Sequence, residues 1–173
     1  TVRELADGVH WLTMPMPGGL SHIHLYLLRD TDGWWVIDTG LSNEETGNLW
    51  DEIFTNALGG VPVIGVICTH MHPDHIGQAA MITDRFRCPL YMTRAEYYQA
   101  RSFANSGGGH YSTWLGQEFY ERAGMPRNYL DELAKAFAQR TNDGMSMPSM
   151  PTGYERLTHG QVLSIGGNDW QVV

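Results

Sequence analysis

An apolar run over residues 61–69 constrains the fold more than any other feature of this 173-residue chain. The run is rich in Val, Ile and Cys, and only Pro62 and Gly65 interrupt it. It is too short for a good helix and too apolar for a strand that has one face in solvent. The run therefore predicts a buried central strand.

Strands, a turn and a loop are predicted before this run. The apolar-rich segments that predict strands are residues 9–14, 23–29 and 34–38. Residues 30–33 separate the last two strands and predict a turn, because Gly33 tolerates a positive φ. Residues 15–20 contain two prolines and two glycines, and they predict an exposed, mobile loop.

Predicted helices alternate with these strands. A capping box of Ser42 and Glu45 opens a helix with one apolar face, and Gly59 and Gly60 end it. After the central strand, residues 76–86 predict a second helix and residues 89–92 predict a short strand. Alternation of strands and helices is typical of an α/β layered fold.

Three consecutive helices are predicted over residues 93–140, which we call the helical block. A capping box of Thr93 and Glu96 opens the first of them. Residues 141–153 predict a polar loop, and residues 161–173 predict a β-hairpin whose second strand has barely begun at the end of the chain. We expect a single domain over residues 1–173, with residues 93–150 as a helical insertion within it.

Charge and cysteine content exclude several classes of protein. The net charge is −8 and the 11 Lys and Arg residues form no cluster, so nucleic acid is not expected as a partner. Cys68 and Cys88 are expected to be buried free thiols. No apolar run approaches the roughly 20 residues of a membrane helix, so no membrane partner is expected. We expect a small-molecule substrate and a cytoplasmic location, with an export signal upstream of Thr1 as the alternative.

The densest cluster of reactive side chains follows the apolar run directly. Residues 70–75 have the sequence His-Met-His-Pro-Asp-His, in which four side chains are able to bind a metal. Imidazole and carboxylate together suit Zn²⁺, Fe²⁺ or Mn²⁺. In extended chain His70 and His72 point to the same side, and Pro73 forces a turn that lets Asp74 and His75 face a second position. The spacing favours a two-metal site over a single tetrahedral one.

This cluster resembles a known family signature. His70, His72, Asp74 and His75 match the HxHxDH motif of the metallo-β-lactamase superfamily, and residues 38–40 resemble its Asp-Thr-Gly element. The resemblance covers about residues 8–92 well and residues 157–173 moderately. It implies the α/β, αββα sandwich of that family, of which this chain would form the N-terminal half.

The resemblance also implies a chemistry and a role for each residue. His70 and His72 would bind the first metal, and Asp74 and His75 the second, with Asp74 as the candidate catalytic residue. Asp38 would orient the loop from outside the ligand set. The complete domain would bind Zn²⁺ at two sites, with Fe²⁺ and Mn²⁺ as alternatives. It would hydrolyse an ester, lactone or thioester, because a bound metal makes hydroxide available and polarises the scissile group.

The chain departs from the family pattern at its end. The family also needs a third His for the first metal, a bridging Asp, and a last His for the second metal. The third His follows soon after a hairpin like residues 160–167, whereas this chain stops at Val173. We therefore expect an N-terminal part of a longer protein, with the remaining ligands beyond Val173 and weak metal binding by this part alone. The alternative source of these ligands is His110, His159 or a partner subunit.

Four further residues are candidates for the substrate rim. His22 and His24 lie on a strand that leads toward the metals in the family, and the alternative is a half-buried strand with polar residues facing outward. Met16 lies in the loop of residues 15–20, which would cover the site. His110 follows three glycines that suggest a flexible lid, and the alternative is a plain loop. Met145, Met147 and Met150 would line an apolar channel or lie in a surface loop.

Two alternatives to a hydrolase stay open. An iron-dependent oxidoreductase similar to persulfide dioxygenases would use the same scaffold. Flavodiiron-type relatives usually carry Glu at the position of His72, which argues against that branch. The other alternative is a non-catalytic fragment that binds metal weakly or not at all. Nuclease branches share the motif, but the acidic charge and the absence of a basic cluster argue against them. Metal analysis separates the zinc hydrolase from the iron oxidoreductase.

Overall fold

The computed structural model describes residues 2–105, 114–142 and 148–173. The strands are β1 (Val2–Ala6), β2 (Val9–Pro15), β3 (His22–Arg29), β4 (Trp34–Ile37), β5 (Val63–Ile67), β6 (Leu90–Thr93), β7 (Glu155–Leu157), β8 (Val162–Ile165) and β9 (Asn168–Gln171). The helices are α1 (Glu44–Asn56), α2 (Pro73–Ile76), α3 (Ala79–Phe86), α4 (Arg94–Asn105), α5 (Trp114–Arg122) and α6 (Arg127–Asn142). Within these ranges, no helix combines the length and the apolar character that a membrane crossing requires.

Strands β1 to β7 form one sheet in chain order, and β8 and β9 form a separate two-stranded sheet. Neighbours pair antiparallel from β1 to β4 and parallel from β4 to β7. Strand β5 is hydrogen-bonded on both sides, by β4 and by β6, so the prediction of a central strand in the apolar run is confirmed. The α/β class is confirmed as well.

Helices cover one face of this sheet. The core on that face includes Leu12, Met14, Leu25, Leu27, Val36, Val66, Leu90 and Met92, all buried, and the helices add Trp50, Ile82 and Tyr97. By the alternation of side chains along a strand, residues such as Trp35, Ile37, Ile67 and Tyr91 belong to the opposite face, where they are only half-buried. Gly65 interrupts the apolar run because the Trp35 ring lies 2.4 Å from where its Cβ would be.

The first helix begins one residue later than the predicted cap. Asn43, not Ser42, is the N-cap of α1, and its side-chain oxygen accepts the Thr46 N–H at 2.8 Å. The capping box of Ser42 and Glu45 is therefore wrong. Asn and Ser are nearly equal as caps, so the local sequence does not choose between adjacent candidates. Gly59 and Gly60 follow the helix with positive φ, as expected of its end.

The helix predicted over residues 76–86 begins later than predicted, and a separate short helix precedes it. Helix α2 begins at Pro73, which is favourable at a first helical position, and α3 begins at Ala79. The break falls at Gly77 and Gln78, and it follows from packing. A Cβ on Gly77 would lie 2.3 Å from the Gly40 carbonyl oxygen and from the Ser42 nitrogen, so the chain passes too close to this loop for any side chain.

The helical block connects two adjacent parallel strands, β6 and β7. Its three helices are confirmed as α4, α5 and α6 in the described residues. Sequence reasoning did not find β7, a three-residue strand with two exposed positions and thus little apolar signal. The division of the chain into one domain with an insertion over residues 93–150 remains a prediction.

The final hairpin is fully paired, which corrects the expectation that its second strand barely begins. Ile165 pairs with Asn168, so Gly166 and Gly167 form a two-residue turn. Both glycines have positive φ, the conformation that the tightest hairpin turns require. Pairing therefore starts directly after the turn, and β9 runs from Asn168 to Gln171.

Candidate metal centre

The candidate metal ligands lie on residues 68–76, a segment that we call the metal loop. It follows β5, and the two neighbouring parallel strands end beside it, β4 leading to Asp38 and β6 leading to Glu96. The carboxyl edge of parallel strands is the common place for binding sites in open α/β sheets. The chain stays extended at His72 (φ −63°, ψ 144°) and turns into α2 at Pro73, so Asp74 and His75 lie on a helical turn.

The four side chains of the predicted motif come together as two pairs. His70 Nε2 lies 2.9 Å from His72 Nδ1, and His75 Nε2 lies 3.5 Å from Asp74 Oδ2. The rings of His70 and His75 connect the pairs, with centroids 3.9 Å apart. His72 is exposed and the other three are partly buried, so the cluster opens to solvent on the His72 side.

The Asp38 carboxylate holds one side of this cluster. It accepts hydrogen bonds from the Thr69 N–H at 2.8 Å, the Thr69 hydroxyl at 2.9 Å and His75 Nδ1 at 2.8 Å. A carboxylate only accepts, so Nδ1 of His75 donates and Nε2 is the nitrogen left facing Asp74. Asp38 is buried and has φ +60°, which few residues other than Gly adopt. Such strain persists only where the surrounding structure enforces it.

Electrostatics differ between the imidazoles. Burial lowers the pKa of His75, but the hydrogen bond and the charge of Asp38 outweigh burial and the net direction is upward. For His70, burial and then the neighbouring His75 and His72 lower the pKa. A lowered pKa favours the neutral imidazole, the form that binds metals. Burial, followed by the charge of Asp38, raises the pKa of the Cys68 thiol well above its usual range.

Residues of the Asp-Thr-Gly element fasten the end of the metal loop. The Thr39 N–H and hydroxyl both donate to the His75 carbonyl, at 2.7 Å and 2.9 Å. The Thr39 hydroxyl also accepts the Gln78 N–H at 3.0 Å, and the Gln78 side chain donates to the Leu41 carbonyl at 2.9 Å. Trp50 of α1 donates to the Thr39 carbonyl at 2.8 Å. The element therefore positions His75 through the backbone as well as through Asp38.

Sequence reasoning missed three of these supporting residues. The residue pattern places Gln78 near the start of a helix and Trp50 in an apolar stripe, and neither pattern shows a contact that spans the fold. Glu96 is predicted to close a capping box, but its carboxylate accepts the Met71 N–H at 2.8 Å. The only sequence signal at Glu96 is its spacing from Thr93. This spacing predicts a cap at the start of a helix and not a contact with Met71.

Among the described residues, the predicted rim residues have contacts with their own neighbours, and none of these contacts is with the metal loop. The rings of His22 and His24 lie 4.7 Å apart, and His24 lies 4.3 Å from the Trp11 ring. The Ser21 hydroxyl contacts His22 Nδ1 at 2.8 Å. Met16 is half-buried beside the exposed turn of residues 17–21. The substrate-rim role of these residues remains a prediction, and His110, Met145 and Met147 lie outside the described residues.

The donor set suits a metal ion in its chemistry. Two ligands of one tetrahedral zinc at about 2.0–2.1 Å lie roughly 3.3 Å apart, and the two pairs, at 2.9 Å and 3.5 Å, are close to this spacing. Among the residues that the structure describes, however, no three or more His, Cys, Asp or Glu side chains are arranged to hold one ion. Each pair offers two ligands, whereas a catalytic zinc normally has three from protein.

Comparison with known proteins identifies the class to which this fold belongs. The sequence profile of the metallo-beta-lactamase superfamily matches residues 18–152, and the chain belongs to this superfamily. A beta-lactamase domain protein from Burkholderia ambifaria has 34% sequence identity and a TM-score of 0.80, with 99% of this chain and 48% of that chain covered. The predicted family is therefore confirmed.

Two further proteins are similar to this chain. A metallo-beta-lactamase family protein from Thermus thermophilus has the same fold at 20% identity and a TM-score of 0.69, with 98% of this chain and 52% of that chain covered. A probable metallo-hydrolase of Bacillus subtilis (strain 168) is 28% identical over 74 residues, which are 43% of this chain and 31% of that protein. The chain spans about half the length of the solved structures that it matches.

Proposed function

We propose that the protein is a metal-dependent hydrolase whose reaction takes place at the metal loop. The observation that carries the proposal is the convergence of His70 with His72 and of Asp74 with His75, beside a buried carboxylate that orients His75. Membership in the metallo-beta-lactamase superfamily and similarity to a protein named a probable metallo-hydrolase support it.

The finer assignment concerns the metals and their ligands. His70 and His72 would hold a first zinc, and Asp74 and His75 would hold a second. The chemistry that zinc would supply when bound is a water whose pKa is lowered to about 7, together with polarisation of the scissile carbonyl group. Asp74 is the candidate catalytic residue, because its carboxylate is the one acidic group within the motif and lies beside His75 Nε2.

The chain itself contributes orientation and access. Asp38 fixes the tautomer and the ring angle of His75, as carboxylates outside a ligand set commonly do. The Thr39 N–H and hydroxyl, which both donate to the His75 carbonyl, fasten α2 beside that carboxylate. Because His72 is exposed while His70 and His75 are partly buried, a substrate approaches from the His72 side.

The proposed substrate is a small ester, lactone or thioester. A carbonyl carbon with a good leaving group suits attack by a metal-activated water. The net charge of −8 disfavours a polyanionic substrate such as nucleic acid. Iron in place of zinc, together with oxygen-dependent turnover, would instead support the oxidoreductase alternative.

The test is metal analysis of the purified full-length protein followed by turnover of lactones, thioesters, esters, β-lactams and phosphodiesters. We expect zinc, and hydrolysis of carbonyl substrates that is lost on chelation and restored by added zinc. His72→Ala is expected to abolish turnover. His159→Ala is the matched control, because His159 is exposed in the turn between β7 and β8. Equal activity of the two variants would contradict the assigned site.

A further inference from the structure

Glu96 of the helical block contacts the middle residue of the His-Met-His segment. One of its carboxylate oxygens, Oε2, accepts the Met71 N–H at 2.8 Å, and both residues are partly buried. Met71 lies between His70 and His72, whose nitrogens are 2.9 Å apart. We propose that Glu96 is a positioning residue that sets the separation of His70 and His72. This proposal rests on the proposed metal site.

The topology explains why a residue so distant in sequence reaches the loop. Strands β5 and β6 are parallel neighbours, so the loop after β5 and the first turn of α4 after β6 begin at the same edge of the sheet. The Glu96 N–H bonds to the Thr93 hydroxyl at 3.4 Å, which is one half of a capping box. The carboxylate would complete the box at the Thr93 N–H. Here it is directed to Met71 instead.

The contact is suited to fixing backbone geometry. A hydrogen bond from an amide to a charged carboxylate is stronger than one to a neutral acceptor, and it is shorter. A carboxylate in the first turn of a helix is also favoured by the helix dipole. The Met71 side chain packs against the hydrophobic core. Met71 is therefore held by its side chain and by its amide, and its two neighbours project from a fixed segment.

The helix that carries Glu96 is itself anchored, so it is a firm support. Tyr97 is almost fully buried, and its hydroxyl donates to the Pro151 carbonyl at 2.7 Å. The Tyr97 ring stacks on Tyr154 with centroids 3.9 Å apart. Ala100, one turn later, is also buried. The anchored first turn of α4 therefore holds the Glu96 carboxylate in place beside Met71, between the two histidines.

The proposal is tested in the full-length protein with Glu96→Gln and Glu96→Ala. Glu118→Gln is the matched control, because it removes the same charge from α5, where Glu118 pairs with Arg122 at 2.6 Å on the surface. The first readout is hydrogen exchange of the Met71 amide in zinc-free protein. We expect exchange to be faster by roughly 10-fold in Glu96→Gln and by more in Glu96→Ala, since Gln keeps a neutral acceptor.

The second readout is the affinity for Zn²⁺ alone, measured by competition with a chelator. Removing a partner that supports metal ligands typically lowers affinity 10–100-fold, and we expect a loss of about this size in Glu96→Ala with a smaller one in Glu96→Gln. If Glu96 only stabilised the fold, both variants would have lower thermal stability, but their affinities for Zn²⁺ would not fall in this order. Cobalt(II) substitution gives a third readout, since a changed ligand angle shifts its visible spectrum.

Two results would overturn the role of Glu96. Met71 exchange equal to that of Glu118→Gln would show that the carboxylate does not hold the amide. Faster exchange with unchanged zinc affinity would show that it does not position the ligands. If the unaltered protein binds no zinc, the proposed function fails instead, and the exchange measurement still decides whether Glu96 holds the loop.

Discussion

The metal loop and the helical block meet where the Met71 N–H bonds to Glu96, but they are built differently. In the metal loop, Thr69 and His75 donate hydrogen bonds to the carboxylate of Asp38, which lies in another part of the chain. In the helical block, large apolar side chains face solvent, with Trp114, Leu115 and Phe119 exposed by 74%, 62% and 65%. Contacts from other parts of the chain therefore fix the first region, whereas the second has large apolar side chains exposed on its outer surface.

The block is nevertheless attached by a few buried residues. Tyr97, Ala100 and Leu130 are almost fully buried, whereas the ion pairs of Arg122 with Glu118 and of Arg127 with Glu121 lie on the surface. Exposed pairs of this kind contribute about 0–1 kcal/mol each. From this difference we expect mutations in the two regions to have different consequences: changes at the metal loop should affect stability and metal binding, and changes on the exposed surface of the helical block should affect substrate choice.

The largest expected effect separates two tryptophans. Trp50→Ala removes a side chain that is fully buried and donates to Thr39, and we expect a loss of about 3–5 kcal/mol in the free energy of unfolding. Trp114→Ala in α5 should change it by about 0.5 kcal/mol or less, because exposed substitutions rarely do more. Urea denaturation measures both. Similar losses in the two variants would remove the contrast.

A second comparison uses two glycines. Gly77→Ala places a Cβ 2.3 Å from backbone atoms of Gly40 and Ser42, which cannot rotate away, so we expect a loss of about 1–3 kcal/mol. Gly153→Ala is the control, since the space around its Cβ position is open among the described residues. Thermal melts of both variants test the prediction, and a Gly77→Ala protein as stable as the control would contradict the close approach.

A third prediction concerns the carboxylate outside the ligand set. Asp38→Asn preserves shape but removes the charge that His75 faces, so zinc affinity should fall about 10–100-fold. Asp32→Asn, in the exposed turn after β3, removes the same charge far from these contacts and should leave affinity unchanged. Chelator competition measures both. Unchanged affinity in Asp38→Asn would mean that Thr69 and the backbone suffice to orient the loop.

The smallest expected effect is that of mutations on the exposed surface of the helical block. Leu115→Ser combined with Phe119→Ser should leave stability within about 0.5 kcal/mol and metal content unchanged. The same change should alter the ratio of kcat/KM for a long-chain ester to that for a short-chain ester by roughly 3-fold, because apolar contacts discriminate chain length. Steady-state kinetics measures the ratio of kcat/KM values, and metal analysis measures the metal content. Parallel losses of metal and activity would contradict a role in substrate choice alone.

Much of the fold follows from local patterns. The apolar run around Val66, the His-Met-His-Pro-Asp-His segment after it and the three helices of the block are all found from residue spacing. Apolar periodicity reports burial directly, so long elements are predictable. Caps and short strands are not, because Ser42 and Asn43 are equivalent locally and β7 has little apolar signal.

The sequence by itself determined which side chains are available for chemistry, since His70, His72, Asp74 and His75 are adjacent along the chain. The tertiary structure alone decided how they are held. Asp38 and Glu96 reach the loop from 37 and 25 residues away in sequence, at His75 and Met71. Such contacts depend on which strands are parallel neighbours and on a positive φ at Asp38, and neither is recorded in the spacing of residues.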